Sequence, residues 1–398
     1  MKKFEFTGET KTINLLFGTA TLHRIRAVAK FGFVEIGELG GWIEKEENLS
    51  HEENAWVYGN AKVYGNAEVR DKAEVCGNAI VYGNAKVGEN AKVQDKAEVC
   101  GNAIVYGNAK VGEDAEVYDN AEVYDKAEVY GNAQIYGNAK VRADAKVYGK
   151  AEVCGKAGVR GKAEIWDDAK VYDNAIVCED ANVYGNAQIY GNAKVRADAK
   201  VYGKAGVCGK AEVRGKAEIR DDANVYGNAN VYGNAKIYGN AKVYDNAKVW
   251  DDAKVYDNAE VCGNAKVWED AKVYVNAKVY SNAEVYSNAK VYGNAKVYGN
   301  AEVCGKAEVC GKAEVFSTRH VLVIGTIGSQ DDFATFYRDK DNEITVKCGY
   351  FLDKIDKFLE KVTETHGDSN YALVCRAAVE AARLQIDLSN EVTKDADE

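Results

Sequence analysis

A six-residue pattern of apolar and polar positions runs without interruption from Ala55 to Val315. Alanine recurs at every sixth position, and valine, or occasionally isoleucine, follows two residues after it. These two residues share one face of an extended segment, whereas the residue between them is usually Lys or Glu and faces water. A Gly-Asn pair or a close substitute comes next, and both residues tolerate a positive φ. The pattern therefore predicts a strand of about four residues and a corner in every hexapeptide.

A helical interpretation of this stretch fails. Apolar residues at i, i+2, i+6 and i+8 do not follow a 3.6-residue period, and a Gly-Asn pair every six residues would break a helix. Counting in steps of six from Ala55 to Ala313 gives 44 hexapeptides. The stretch Val129–Tyr172 recurs almost unchanged as Val183–Tyr226, and the offset of 183 − 129 = 54 residues is three times 18. Three hexapeptides per coil then predict 14 to 15 coils in a rod roughly 70 Å long.

The commonest hexapeptide, Ala-Lys-Val-Tyr-Gly-Asn, resembles the repeat of the left-handed parallel β-helix superfamily, which is best known from acyltransferases. The tyrosine variant, with Gly40-Gly41-Trp42-Ile43-Glu44 and Asn48-Leu49-Ser50, is similar to a bacterial and phage group of hexapeptide proteins named as transferases without demonstrated activity. The resemblance implies an all-β solenoid, a single-stranded left-handed parallel β-helix. One departure is consistent: Tyr mostly stands where family members carry a small or acidic residue.

The repeat also predicts which side chains stack on one another in successive coils. Alanine near the corner and valine at mid-face should form the buried columns, in which a larger residue would be overpacked. Middle positions should form outer ladders of mixed charge, and tyrosines should stack along the edges. One outer ladder begins with Trp56, Glu74, Lys92, Lys110 and Glu128.

Residues 1–54 precede the regular repeat and are predicted to cap it, since a bare solenoid end exposes apolar core and unpaired strand edges. Short strands are expected at Phe4-Glu5-Phe6 and at Ile13–Phe17, and a half-buried strand at Leu22–Val28.

An imperfect first coil is expected to begin near Ile43. Leu49 falls on the alanine register, because 55 − 6 = 49, and His51 falls on the valine register.

After the repeat of residues 55–315, residues 316–398 have a different composition and predict a small α+β domain at the far end. A buried strand is expected at His320–Gly325, and further strands at Phe333–Tyr337 and Ile344–Cys348. A first helix follows from the spacing of Leu352, Ile355, Phe358, Leu359 and Val362, with Gly367 as its stop. A second helix is predicted from about Asn370 to Leu388 on the spacing of Val374, Ala377, Ala378, Ala381 and Leu384.

Composition narrows the function classes. The chain has 398 residues and a net charge of −10, with both signs dispersed, which disfavours a nucleic-acid binder because such proteins need a concentrated basic face. No signal-peptide pattern and no run of ~20 apolar residues occurs, so we expect a cytoplasmic protein outside the membrane.

The chain has ten cysteines, which fit the cytoplasm if they are reduced. Eight of them directly follow a repeat valine, where they replace tyrosine, and no two of these are 18 residues apart, so no stacked disulfide ladder is expected. They are Cys76, Cys100, Cys154, Cys178, Cys208, Cys262, Cys304 and Cys310. The sequence has no Cys-x-x-Cys pair, and no histidine stands among these cysteines, so we do not expect them to form a metal site.

Candidate catalytic groups are scarce. Acyltransferases of the similar family use a histidine as general base, but His23, His51, His320 and His366 all lie outside the regular repeat. The simplest interpretation of His51 is a register substitution, and that of His366 is a residue at the negative end of a helix dipole. The segment 325–329 lacks the lysine and spacing of a phosphate-binding loop and is predicted to be a glycine turn. We therefore predict no catalytic, cofactor-binding or metal-binding residue.

The leading hypothesis is a non-catalytic repeat scaffold whose C-terminal domain docks a protein partner or mediates self-association. The alternative is an acyltransferase-like enzyme, for which the resemblance implies a homotrimer. A phage-derived structural or accessory protein is the third hypothesis. Within the repeat, Val275 at a corner position normally held by Gly or Asp is the irregularity to inspect first.

Overall fold

A computed structural model describes residues 2–15 and 18–389, and the chain divides into two compact units, 1–198 and 199–398, which are described in turn. In both units the repeat forms the predicted solenoid, with about 15 turns in total. Each hexapeptide contributes one strand, from Trp56–Val57 to Glu314–Val315. The strands contain two residues instead of the expected four, because the corner begins directly after the valine. Each strand pairs in parallel with the strand 18 residues further on, as Lys92–Val93 does with Lys110–Val111.

The buried columns are those that the pattern predicts. The alanines and valines of the repeat are 0–1% exposed from Ala55 to Val315. The backbone N–H of Lys92 donates to Ala109 O at 2.9 Å and that of Gln94 donates to Val111 O at 2.9 Å, and this pattern recurs from coil to coil. Stacked coils therefore bury the apolar face and satisfy the strand backbone together.

The geometry of the corners explains why aspartate can replace glycine at the first corner position. The first corner residue has a positive φ, 71° at Gly83 and 59° at Asp95. Where aspartate replaces glycine, its carboxylate accepts a hydrogen bond from the next coil: Asp95 Oδ2 accepts from the N–H of Glu113 at 3.1 Å. A short acceptor side chain tolerates the left-handed conformation and ties neighbouring coils together.

The outer ladders are also confirmed. Lys110 Nζ lies 3.1 Å from Glu128 Oε1 in the first unit. The rings of Tyr118 and Tyr136 stack with centroids 5.0 Å apart. Asparagine side chains form a further ladder, in which Asn84 Nδ2 donates to Asn102 Oδ1 at 3.0 Å.

At the start of the first unit, three strands cover the solenoid. Strand β1, Phe4–Leu15, pairs antiparallel with β2, Gly18–Ala27, which pairs with β3, Leu39–Ile43. The two short strands expected within residues 4–17 are thus one long strand, and the last two predicted residues, 16 and 17, lie outside the described residues. Trp56, expected on an outer ladder, is fully buried instead, with its ring edge-on to Phe4 and Phe31.

The predicted register of the first coil is wrong. Ile43 pairs with Val63 and Leu49 with Val69, so this coil spans 20 residues, as 63 − 43 = 20. Leu49 therefore occupies the valine column, not the alanine column, and two additional residues precede Ala55. His51 does not enter the core: its ring stacks on Phe4 with centroids 4.2 Å apart. A 3-10 turn, Glu46–Asn48, lies within this coil.

In the second unit, a four-stranded antiparallel sheet and two helices follow the last coil. The strands, in spatial order, are Val321–Ile327, Asp332–Arg338, Ile344–Cys348 and Phe351–Lys354. A 3-10 turn, Thr318–His320, precedes them, and the helices are α1, Ile355–His366, and α2, Asn370–Gln385.

The C-terminal prediction is corrected in three details and confirmed in one. The first strand is a half-buried edge strand instead of a buried one. A fourth strand was missed, and Leu352 belongs to it instead of to α1. The second helix ends three residues before the predicted Leu388. Gly367, at φ 56°, does end α1 as predicted. The polar tail at 395–398 lies outside the described residues.

The sheet lies directly on the last coil of the second unit. Residues from Ala334 to Arg338 are all buried. Thr335 Oγ1 accepts from the N–H of Glu308 at 2.9 Å, and Tyr337 Oη lies 3.4 Å from Cys310 Sγ. The N–H of Lys340 donates to Lys312 O at 3.0 Å. The domain thus covers the end of its own solenoid and leaves its helices on the outer side of the sheet.

Candidate interaction surface

The four histidines occupy structural positions. His23 stacks on Phe6 with centroids 4.8 Å apart. His51 Nδ1 accepts from the N–H of Lys3 at 3.3 Å, and its Nε2 lies 3.7 Å from a Glu46 carboxylate oxygen. His366 is the last residue of α1, as its position before Gly367 predicts. These contacts give each imidazole a packing role.

His320 lies buried where the solenoid ends. It is 2% exposed, its Nδ1 accepts from the N–H of Phe316 at 3.2 Å, and its ring meets that of Phe316 edge-on. Burial, assisted by the nearby Arg338 charge, lowers the pKa of His320 to about 4. The imidazole is therefore neutral near pH 7. Its Nδ1 fixes the backbone of Phe316, directly after the last repeat residue.

Among the described residues, the cysteines and acidic side chains do not assemble into a metal centre. All ten cysteines are free thiols. Within residues 2–15 and 18–389, no group of three or more His, Cys, Asp or Glu side chains is placed to hold a metal ion. Burial raises the pKa of the Cys348 thiol to about 11, so this cysteine is protonated and a poor nucleophile at neutral pH.

The exposed face of α2 carries most of the residues whose spacing predicts this helix. Ser369 caps this helix, since its side chain accepts from the N–H of Ala372. The face packed against the sheet and α1 consists of small residues, among them Ala372, Cys375, Ala378 and Ala382.

Four of the five residues whose spacing predicted this helix lie on its other side and are exposed. These four residues, Val374, Ala377, Ala381 and Leu384, are named the α2 seam.

The α2 seam has the spacing of a helix-packing surface. Its members are separated by three, four and three residues, which keeps them on one line along the helix. Leu384 is 83% exposed, and Leu373 beside the seam is 53% exposed. A single exposed leucine is unremarkable, but a continuous apolar stripe on a surface helix is typical of an interaction site.

The charges beside the α2 seam are already paired within the domain. Arg383 donates to Glu380 at 3.0 Å and to Asp356 at 2.8 Å. Arg376 donates to Asp368 at 3.2 Å. The seam is therefore an apolar stripe beside a locally neutralised polar border, which is the usual anatomy of a protein interface.

A cavity of about 320 Å³ lies between the last coils of the second unit and the C-terminal sheet. Three lysines line it, Lys290, Lys306 and Lys347, together with Glu308. Lys290 Nζ lies 2.7 Å and Lys347 Nζ 3.6 Å from Glu308 carboxylate oxygens, and Lys306 lies over the ring of Phe333 at 4.4 Å. All three lysines of this cavity thus already contact a side chain of the protein, either the Glu308 carboxylate or the Phe333 ring.

Neither a protein-family model nor a curated protein sequence matches this chain. No helix within the described part of the chain is long and apolar enough to cross a membrane.

Proposed function

We propose that this protein is a non-catalytic repeat scaffold that self-associates through the α2 seam. The observation that supports the proposal is the apolar stripe of Val374, Ala377, Ala381 and Leu384 on the outer side of a domain whose inner side covers the solenoid end. A capping domain needs only its inner side for stability, so an apolar outer side requires a separate explanation.

A second copy of α2 fits the stripe in shape. In an antiparallel two-fold contact centred between Ala377 and Ala381, Ala377 of one copy would face Ala381 of the other at the crossing point. Small residues there let two helices approach closely, while Val374 and Leu384 would pack on either side. The charge pattern agrees, because the paired Arg383 and Glu380 present little net charge to a copy of themselves.

The size of the stripe predicts a weak contact. With Leu373 included, a two-fold contact would bury on the order of 1,000 Å² in total, near the lower limit for a specific interface. We expect dimerisation in the micromolar range of concentration, where an additional contact or a high local concentration would strengthen it.

An acyltransferase-like activity is the second candidate, and the lysine-lined cavity of the second unit favours it. The repeat resembles that of the left-handed β-helix acyltransferases, and lysines suit the phosphates of an acyl carrier such as coenzyme A. Against this, Glu308 already binds two of the three lysines. Thermal stabilisation by acetyl-coenzyme A that disappears in Lys306→Ala would support this candidate.

Light scattering on size-separated protein tests the proposed scaffold. Ala381→Glu places a charge in the seam at an exposed helical position, so the helix should still fold and the dimer should be lost. Thr365→Glu adds the same charge to the exposed side of α1 and should leave the dimer intact. Point substitutions are preferable to deletion of residues 316–398, because deletion would also expose the last coil. A wild-type protein that stays monomeric up to high micromolar concentration would refute the proposal.

A further inference from the structure

A cleft on the outer surface of the first unit is formed by a missing side chain. The middle-position ladder there contains Glu122, Lys140, Gly158 and Ile176 on successive coils. Gly158 lacks the side chain that its neighbours project outward, and a Cβ placed on it would have no atom within 4 Å. The resulting cleft has a volume of about 520 Å³, within the range of small-molecule sites.

Four cations line this cleft: Lys140, Arg142, Lys156 and Arg160. Its lining in the described structure contains no carboxylate. Lys140 has a partner outside the cleft, a carboxylate oxygen of Glu122 at 2.9 Å, and Arg142 donates to the hydroxyl of Tyr124 at 3.2 Å.

Lys156 and Arg160 have no carboxylate oxygen within 4.0 Å among the residues that the structure describes. Elsewhere in the first unit many outer lysines pair with a glutamate one coil away, as Lys110 does with Glu128. The cleft therefore departs from the charge pairing that is common along this solenoid.

The position of the two arginines favours a phosphate. Arg142 and Arg160 are 160 − 142 = 18 residues apart and occupy the same column on adjacent coils, so their backbones lie ~4.8 Å apart. Long side chains from one column can reach the same anion, and the planar donor pairs of guanidinium groups match phosphate oxygens. A dianion would pair with two such cations better than a single carboxylate would.

The remaining walls favour an apolar body attached to that phosphate. Ile176 and the ring of Tyr124 line the cleft beside Gly158. Aromatic and aliphatic walls with a few convergent polar groups are typical of small-ligand sites. We propose that this cleft binds a small phosphate monoester with a flat apolar group, with Arg142 and Arg160 on the phosphate and Gly158 leaving room for the flat group.

The internal duplication of the chain provides a matched comparison. Fifty-four residues after Gly158, in the second copy of the duplicated segment, stands Glu212, while Arg160 corresponds to Arg214 and Lys156 to Lys210. The copy with glycine has the space, and no glutamate stands between its two flanking cations. Conversely, Gly206 corresponds to Glu152 of the first copy.

These two glycines define the test, because each Gly→Glu substitution recreates the hexapeptide of the other copy. Titration calorimetry at low salt with phenyl phosphate is expected to show saturable one-to-one binding to the wild-type protein. Gly158→Glu and Arg160→Gln should each weaken this binding at least tenfold, whereas Gly206→Glu should leave it unchanged. Circular dichroism checks that all three variants fold.

Inorganic phosphate is the second probe and should bind at least tenfold more weakly than phenyl phosphate. Equal affinity of the two probes would overturn the assignment of an apolar group on the ligand. Equal affinity of the wild type and Gly158→Glu, or no binding to the wild type, would overturn the site itself. This inference is independent of self-association through α2.

Discussion

Val275 tests how the corners determine the stability of the solenoid. Its φ of 63° lies in the left-handed region, and it is a β-branched residue, for which this region is a strong outlier. Asp, Glu, Ser or Gly holds almost all equivalent corners. We predict that Val275→Asn stabilises the second unit, because asparagine tolerates this conformation and has a similar size.

The magnitude follows from two opposing terms. The left-handed conformation costs a residue with a Cβ about 1–2 kcal/mol, and asparagine avoids much of this. Val275 is 37% exposed, so the substitution gives up only partial apolar burial, worth about 0.5 kcal/mol. The expected net stabilisation is about 1 kcal/mol. Gly239 lies in the same corner column, 36 residues earlier. Gly239→Val should lower the free energy of unfolding by about 2 kcal/mol or more, because crowding adds to the ~1–2 kcal/mol of backbone strain.

The crowding at Gly239 is specific. An added Cβ would lie 2.8 Å from the backbone nitrogen of Asp257 on the next coil, closer than such atoms approach in folded proteins. This reverse substitution is therefore the matched control, since it introduces valine where Val275→Asn removes it.

Hydrogen exchange measured by mass spectrometry suits this test, because long repeat arrays often do not unfold in one step. The N–H of Asn258 donates to Val275 O at 2.8 Å, so a peptide covering 255–279 reports on this corner. A stabilisation of about 1 kcal/mol should slow its exchange roughly fivefold. Exchange that is unchanged or faster in Val275→Asn would refute the idea that this corner is strained.

Three further predictions concern stability. Ala127→Leu should lower the free energy of unfolding by about 1–3 kcal/mol, because it overpacks a fully buried column. Lys110→Glu breaks an exposed ion pair and should lower it by less than about 1 kcal/mol. Denaturation midpoints measure both effects, and equal shifts in the two variants would contradict the column model. His320 is neutral when folded, with a pKa of about 4 against 6.5 when unfolded, so the unfolded state binds more protons between these values. Stability should therefore fall by up to about 1.4 kcal/mol per pH unit from pH 6.5 to 4, and His320→Asn should lose this component of the acid sensitivity. Burial raises the pKa of Tyr64, Tyr256 and Tyr280 to about 12. The stability that these neutral hydroxyls contribute is therefore present below about pH 10 and is lost as the pH rises through about 12. Tyrosinate absorbance and circular dichroism should change together over this range.

The regular solenoid was predictable because its pattern leaves few alternatives. Alanine and valine two residues apart, followed by a residue pair that tolerates positive φ, fit a short strand and a corner but no helix. The first coil was not predictable in the same way. Ile43 and Leu49 are six residues apart, but the two additional residues before Ala55 carry no repeat signal, so extrapolation backward assigned Leu49 to the wrong column.

Helix α2 illustrates a different limit. The spacing of Val374, Ala377, Ala381 and Leu384 correctly predicts a helix, but it does not show that these residues are exposed. This helix has apolar residues on two opposite sides, and its buried side consists of small residues such as Cys375. Hydrophobic periodicity identifies an apolar face without stating what covers it, so only packing shows which face is inside.

The basic cleft was missed because Gly158 looks like an ordinary variation within a repeat. The available signal was the mismatch between duplicated copies, Gly158 against Glu212, with the flanking cations unchanged. A position-by-position comparison of the two copies is therefore enough to single out this residue from the amino-acid sequence.

A charge-complementation experiment tests the central claim most directly. Ala381→Glu and Ala381→Lys should each be monomeric, with the chain mass of 43.4 kDa, because each would bring two like charges close together on either side of the two-fold axis. An equimolar mixture should recover a species of twice that mass by sedimentation velocity, since the charges on either side of that axis are then opposite. A mixture that remains monomeric, or single variants that remain dimeric, would contradict self-association through α2.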